Sequence, residues 1–198
     1  MKIVHAGHPA LRKPAARVAE AHFGGEQLQH LIDEMVAAMR AAPGVGLAAP
    51  QLGVELRVLV IEDTAERMSH LTEAEKAERA RTDVPLLALV NPVLEHASEE
   101  QDTFFEGCLS VPGYSALVPR AHEVTVSGFS PKGEPVRLEA SGWPARILQH
   151  ELDHLDGRLY VDRMHSRSFA TADEARVRFS GRSIAEIAIE LGLVPAAP

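Results

Sequence analysis

The chain has 198 residues, 45% of them hydrophobic and 24% charged, with a formal net charge of −8. That length and composition suit one globular domain with a sizeable core, and an acidic balance without clustered Lys and Arg argues against nucleic-acid binding through a general basic surface. A single cysteine, Cys108, rules out an intrachain disulfide and points to a reducing compartment; no run approaches the ~18 apolar residues of a membrane span, and MKIVHAGHPALRKPA lacks the apolar core of a secretory signal.

From the N-terminus, Pro9 and Pro14 make residues 5–16 an irregular arm with at most one helical turn, to which no chemistry is assigned. Leu28, Leu31, Ile32, Met35, Val36 and Met39 recur at helical spacing and predict an amphipathic helix over 27–41 with both methionines in the core. Residues 43–53, PGVGLAAPQLG, are rich in Gly and Pro. Small residues let another backbone come close, so an extended segment here can pair with a peptide as an added strand, leaving Gln51 as the one side chain with both donor and acceptor. A phosphate loop is excluded, because neither the P-loop Lys-Ser/Thr nor a GxGxxG spacing is present.

Residues 57–62 (RVLVIE) and 86–90 (LLALV) read as buried strands. Between them, residues 64–82 alternate charges and predict an exposed helical excursion, an insertion away from the chemistry. Asn91-Pro92 predicts a turn, with residues 93–105 returning as strand through a polar bend at 98–101. Cys108, in EGCLS, is either a small buried hydrophobe or a metal-bound thiolate. Residues 117–129 and 135–139 predict antiparallel strands joined by a Pro131-Lys132-Gly133 turn, with Arg120 placed to pair with Glu106.

The densest signal is QHELDHLDG at 149–157. His150 and His154 are four apart and share one face of a helix at about 3.6 residues per turn, placing two nitrogen ligands for a divalent ion. Glu151 lies roughly 100° round the helix, able to reach a water beside the ion without being a ligand itself, which makes it the natural proton carrier. Gly142 and Pro144 fit the helix start and Gly157 its stop. Residues 159–164 predict a last short strand, and Ser183 with Glu186 forms a capping-box signature for a helix over 183–191 closing at Gly192.

A catalytic metal usually takes three protein ligands. One metallopeptidase class places a third His ten residues after the first, but that position is Tyr160. Another uses a downstream Glu, for which Glu174 is the candidate, and Cys108 is the competing choice. Thiolate with imidazoles suits ferrous iron as well as zinc, so ligand type leaves the metal open. A binding module with a structural metal and no turnover is the rival of another class.

GVGLAAPQ at 44–51, EGCLS at 106–110 and QHELDHLDG at 149–157 resemble, in order and spacing, the three signature motifs of the peptide deformylases. The resemblance runs from about His5 to about Phe169. SGWPARILQHELDHLDGRLYVDRM and the long charged excursion look most like the form found in plant and animal organelles and in some bacteria. Residues 170–198 are not covered and are expected to be a C-terminal extension, helical in part.

The resemblance implies a hydrolase that removes the formyl group from N-formylmethionine at the start of nascent chains and releases formate. Cys108, His150 and His154 would bind one divalent metal, Fe2+ expected, with Zn2+ or Ni2+ as replacements. Glu151 would be general base and then acid. The Gln51 side chain and the Leu109 backbone N–H would hold the developing oxyanion, and Gly46 would pair with the substrate backbone. Trp143, Arg146 and Ile147, with Val45, would line the pocket for the methionine side chain. We therefore expect a single α+β catalytic domain over 1–198, its antiparallel or mixed strands packed around a central helix that carries HELDH. Its partners would be N-formylmethionyl peptides and nascent chains at the ribosome, with no general nucleic-acid or membrane binding. A bacterial cytoplasm is the expected location; a mature organellar form and an oligomer stay open.

Overall fold

The computed structural model describes residues 1–42 and 44–193. In chain order these form helix α1 (Glu26–Ala41), strands β1 (Gly46–Ala48) and β2 (Val58–Asp63), helix α2 (Glu73–Glu78), strands β3 (Val84–Ala97), β4 (Gln101–Cys108), β5 (Val111–Ala121), β6 (Glu123–Phe129) and β7 (Pro135–Ser141), helix α3 (Gly142–Leu155), strand β8 (Ala170–Thr171), and helices α4 (Ala172–Phe179) and α5 (Ile184–Glu190). Pro43, grouped above with the glycine-rich segment, and residues 194–198 of the C-terminal extension lie outside the described residues. A five-stranded sheet has the order β1-β2-β3-β6-β7 and a three-stranded sheet the order β4-β5-β8, with every strand pairing antiparallel. The expected α+β class is the one found.

The continuous apolar run of β2 follows from helices on both faces of its sheet. Side chains alternate along a strand, so Leu59 and Ile61 meet α3 through Leu148, Leu152 and Leu155. Val58 and Val60 meet α1 through Leu28, Ile32, Met35 and Met39. Met35 and Met39 are fully buried, as their spacing predicts. A third cluster seats α4 and α5 on β5, where Leu117 meets Ala175, Phe179 and Ile187.

Four local expectations are corrected. Asn91-Pro92 is no turn: β3 runs straight through it with an irregular register, and Asn91 sits at φ 54°. Asn tolerates this left-handed conformation, and here its amide accepts from Val18 N and donates to Val18 O, both at 2.8 Å. The predicted single strand over 117–129 is two strands in different sheets, parted at His122, whose N–H donates to Glu100 O at 2.9 Å and whose carbonyl accepts from Gly142 N at 2.8 Å. Residues 159–164 form a turn of 3-10 helix at Tyr160–Asp162 instead of a strand.

The excursion is the fourth. Its helix is short, Glu73–Glu78, closed by a Thr72-Glu75 capping box. Its arginines are not simply solvated. Arg81 makes a two-pronged pair with buried Asp63, at 2.7 and 2.9 Å, Arg67 donates to Gly44 O, and Arg79 and Arg81 lie over the Trp143 ring at 5.1 and 5.3 Å. The segment is therefore fastened to the rest of the fold through Asp63, Gly44 and Trp143 rather than standing free in solvent.

Two outcomes follow for stability. Asn91→Ala leaves two buried main-chain groups of Val18 unpaired and puts a Cβ-bearing residue without a polar side chain at positive φ, so it should lose about 2 to 4 kcal/mol in urea unfolding. His122 is hydrogen-bonded through Nδ1 to Asp102 at 2.6 Å, which raises its pKa above the ordinary imidazole value. A raised folded pKa gives stability that is complete below the unfolded value of about 6.5 and fades as pH climbs through the folded one. His122→Gln should thus cost more at about pH 5.5 than at about pH 9. The pair is about one-third exposed, which holds the difference under about 1 kcal/mol; matched urea titrations at the two pH values measure it.

Candidate metal centre

The helix that carries the site is defined at both ends by other segments. Ser141 gives α3 no side-chain cap. The first N–H groups are instead taken by carbonyls from elsewhere: Gly142 N donates to His122 O at 2.8 Å and Trp143 N to Arg79 O at 3.0 Å. Gly142 adopts φ 60°, and a Cβ there would press on Arg79 and Ala80. At the other end Leu155 O accepts from Ala15 N at 2.8 Å, and the chain turns at Gly157 with φ 75°. Orphan groups at helix ends need such partners, and here those partners also set the helix against β1, β2 and the excursion.

On that helix His150 and His154 face Cys108 at the end of β4. One ligand atom from each lies within 4.8 Å of the others, and among the described residues no other such group of His, Cys, Asp or Glu is found. Cys108 Sγ is 3.3 Å from His154 Nε2. His154 is fully buried, and His150 is partly buried at the edge of the cavity. Burial, added to by the neighbouring His150, holds His154 well below the ordinary imidazole pKa and hence neutral, the form that binds metal. Glu174, the alternative third ligand, sits exposed in the first turn of α4 and does not join the group.

Buried donors also test whether the residues fit an ion. A soft sulfur with two imidazoles is a donor set for zinc or ferrous iron. His150 Nδ1 is bonded to Glu106 Oε2 at 2.9 Å, which leaves Nε2 as its outward-facing nitrogen. Glu151 Oε2 is buried with no protein partner. The three side chains fit a divalent ion.

Glu106 is bonded by three side chains at once. Arg120 grips it at 3.0 and 2.9 Å and Arg146 at 2.6 Å, besides His150. Burial alone would raise its pKa, but the His150 hydrogen bond and the Arg120 charge outweigh that and hold it well below the carboxylate range. The expected Arg120–Glu106 pair is present. Arg120 also bonds Asp153, the D of HELDH, which Arg163 holds through two bonds of 2.7 Å.

The remaining candidates line one cavity of about 650 Å³ that includes Gly46, Val45, Gln51, Leu109, Trp143, Arg146, Ile147, His150 and Glu151. Gln51 Oε1 accepts from Ala48 N at 2.8 Å, which turns Nε2 towards Ser110 Oγ at 3.3 Å and Cys108 Sγ at 3.7 Å. A Cβ on Gly46 would collide with the Glu151 carboxylate. Glu151 is fully enclosed, and that burial, opposed by His150 and Arg120, raises its pKa to about 7. Arg146 borders the cavity, but its donors are spent on Glu106, Val118 O and Asp102 O.

Sequence reasoning missed part of the wall. Ile3, just ahead of the arm, and His5 at its start line the cavity, and Val4 N and Ala6 N donate to Gln51 O and Ser110 O at 2.8 Å each. The arm thus fastens the two segments that bear Gln51 and Cys108. It carries no periodicity or motif, so nothing local marks it. Phe105 and Tyr114 also line the cavity, and as strand residues they gave no separate signal.

A family model described as polypeptide deformylase matches residues 1–170. The protein from Arabidopsis thaliana named peptide deformylase 1A, chloroplastic/mitochondrial, is 50% identical over 172 residues, 87% of this chain and 64% of that protein, so the chain spans just under two thirds of that relative's length. Peptide deformylase 3 of Streptomyces avermitilis is 43% identical over 192 residues, covering 97% of this chain and 84% of the relative. The Met-Ala-Ser-bound class I type b peptide deformylase of Acinetobacter baumannii superposes with a TM-score of 0.72 at 33% identity, over 82% of this chain and 98% of that one.

The geometry makes Glu106 the orienting partner of His150. Glu106→Gln removes the charge that two buried arginines and the imidazole share, and should weaken metal retention by about 10- to 100-fold, measured by zinc transfer to a chelator of known affinity.

Proposed function

Because the chain belongs to the polypeptide deformylase family, we propose that it hydrolyses the formamide of N-formylmethionyl peptides and nascent chains, releasing formate and a free amino terminus. The convergence of Cys108 with His150 and His154, beside Glu151 and Gln51, carries this reading. The three residues would hold one divalent ion, which we propose is ferrous iron, with zinc or nickel able to take its place. Such an ion, when bound, supplies Lewis acidity that polarises a carbonyl and eases deprotonation of water.

The rest is done by the chain's own residues. Glu151 accepts a proton from water as the oxygen attacks the formyl carbon, then gives that proton to the amine nitrogen as the C–N bond breaks. Its burial suits both duties, since a carboxyl raised to about 7 can take a proton and return it near neutral pH. Gln51 Nε2, aimed by the Ala48 bond to its oxygen, donates to the developing oxyanion, with the Leu109 N–H as second donor.

Binding uses unpaired strand edges. β1 and β4 are each the edge of their sheet and both line the cavity. β1 runs towards Gln51 and β4 towards Cys108, so a peptide with its formyl end at the centre leaves antiparallel to both, and Gly46 is placed to pair with it. Val45, Trp143 and Ile147 would receive the methionine side chain, with Arg146 behind them bracing Glu106.

We assign residues 1–198 to one catalytic domain, supported by the packing of α4 and α5 on Leu117 and Phe105. Among the described residues no helix is long and apolar enough to cross a membrane. Relatives are named from bacteria and from plastids and mitochondria; a bacterial cytoplasm is our proposal, with an organelle as the alternative.

Glu151→Gln should lower formate release from formyl-Met-Ala by at least about 10²-fold while metal content stays at the parent level. Turnover at the parent rate would remove Glu151 as the base, and cleavage of unformylated peptides would move the protein to another reaction class.

A further inference from the structure

The five-stranded sheet ends at β7, which has no strand on its outer side among the described residues. Its side chains alternate: Val136, Leu138 and Ala140 are half-buried against the core on the α3 side, and Pro135, Arg137, Glu139 and Ser141 are exposed. The main chain alternates with them. Just beyond the two ends of the β6–β7 pairing, Ser130 N donates to Glu134 O and Gly142 N to His122 O, both at 2.8 Å. Bonded and unbonded pairs alternate along an antiparallel ladder, so Val136, Leu138 and Ala140 spend their N–H and C=O groups on β6, while those of Arg137, Glu139 and Ser141 point outward. Pro135, with no N–H to give, also falls in the outward set. Beside this edge, on the α3 side, a cavity of about 460 Å³ is walled by Leu87, Leu138, Ala140 and Pro144 and by Leu86, which is 44% exposed.

An open edge is completed by another strand, and the sequence of β7 is complementary to itself. In an antiparallel pairing of two β7 strands centred on Leu138, Arg137 of each copy stands opposite Glu139 of the other. Both residues have outward main-chain groups, so these pairs exchange N–H···O bonds as the ladder requires, and Ser141 N meets Pro135 O at either end. A pairing centred on Arg137 or on Glu139 sets like charges face to face at the axis, which is destabilising. One centred between two residues sets outward groups against inward ones and bonds neither. We propose that β7 is a docking edge for a second copy of this chain, joining the two five-stranded sheets across a two-fold axis at Leu138.

Both faces of the joined sheet contribute. On the outer face, Arg137 already meets Glu139 and Glu95 of its own chain at 2.5 and 3.3 Å, with its side chain 60% exposed, so the second copy adds a carboxylate to a guanidinium that is still open to solvent. On the α3 face, opposite residues of an unbonded pair bring their Cβ atoms within about 4.5–5.5 Å. The two Leu138 side chains therefore meet, and together they cover the apolar cavity beside Leu86, withdrawing its wall from water. This cavity and the one beside the metal ligands share no lining residue, so association leaves the candidate site open.

The test is sedimentation equilibrium of the metal-loaded full chain in low salt. The parent should show twice the chain mass. Arg137→Glu sets glutamates opposite each other at two symmetric places and should raise the dimer dissociation constant by at least about tenfold. The double exchange Arg137→Glu with Glu139→Arg restores opposite charges in this register alone and should restore the dimer. Glu139→Pro removes an N–H that points away from β6 and should also give monomer, with far-UV circular dichroism and metal content at the parent level. A monomeric parent overturns the proposal. So does a dimer that survives both Arg137→Glu and Glu139→Pro, or a double exchange that is folded by circular dichroism and remains as dissociated as Arg137→Glu.

Discussion

The site depends on one buried carboxylate. Glu106 stands on β4, two residues before Cys108, and is held by Arg120 of β5 and by His150 and Arg146 of α3. These elements belong to the three-stranded sheet and to the helix that packs on the five-stranded one. A buried ion pair is weak evidence of net stability, since desolvating the charges costs about as much as their attraction returns. Removing one partner is another matter, with a cost of about 3–5 kcal/mol for the charge left alone. The network is thus intolerant of partial assembly, and what it secures is position: the sulfur-bearing strand and the imidazole-bearing helix can meet only in the register that satisfies Glu106.

The same neighbourhood drives two carboxyls in opposite directions. Glu106 is buried among arginines and a histidine and stays ionised. Glu151 is also buried, but it makes no ion pair, and one of its oxygens has no protein partner, so desolvation prevails and its pKa rises to about 7. Carboxyls separated in this way divide the labour. In the proposed reaction the ionised one would orient His150 and the other would be free to move a proton. Gly46 is part of the second environment, because any side chain there would displace the Glu151 carboxylate.

Much of this was legible where the information is local. The spacing of His150 and His154, the helical periodicity that buries Met35 and Met39, and the capping box at Ser183 each depend on residues within a few turns, and each is found. The deformylase motifs brought Cys108 to the two histidines, which spacing alone could not do, since Glu174 stayed a plausible alternative until the fold placed it on the outside of α4. The errors share a cause. Asn91-Pro92 has the composition of a turn, yet Val18, far away in sequence, supplies the bonds that hold Asn91 inside a strand. His122 breaks a strand because Glu100 and Gly142 claim its main-chain groups, with no Gly or Pro to announce it. The excursion's arginines look solvated until Asp63, Gly44 and Trp143 are found beside them.

An exposed strand edge is ordinarily a hazard, because its unpaired N–H and C=O groups will accept any other strand. This fold leaves two of them around one cavity. The β1 edge is only three residues long, and Val4 is tied to Gln51 just beyond it, which restricts how much foreign chain can add there. The β4 edge is longer, but it ends at Cys108 and is flanked by the excursion and by α4 and α5. A folded protein cannot present an end of backbone to both edges at once, whereas the extended start of a chain can. For the proposed reaction, selection for an amino terminus would therefore come first from this geometry, before any contact with the formyl group itself.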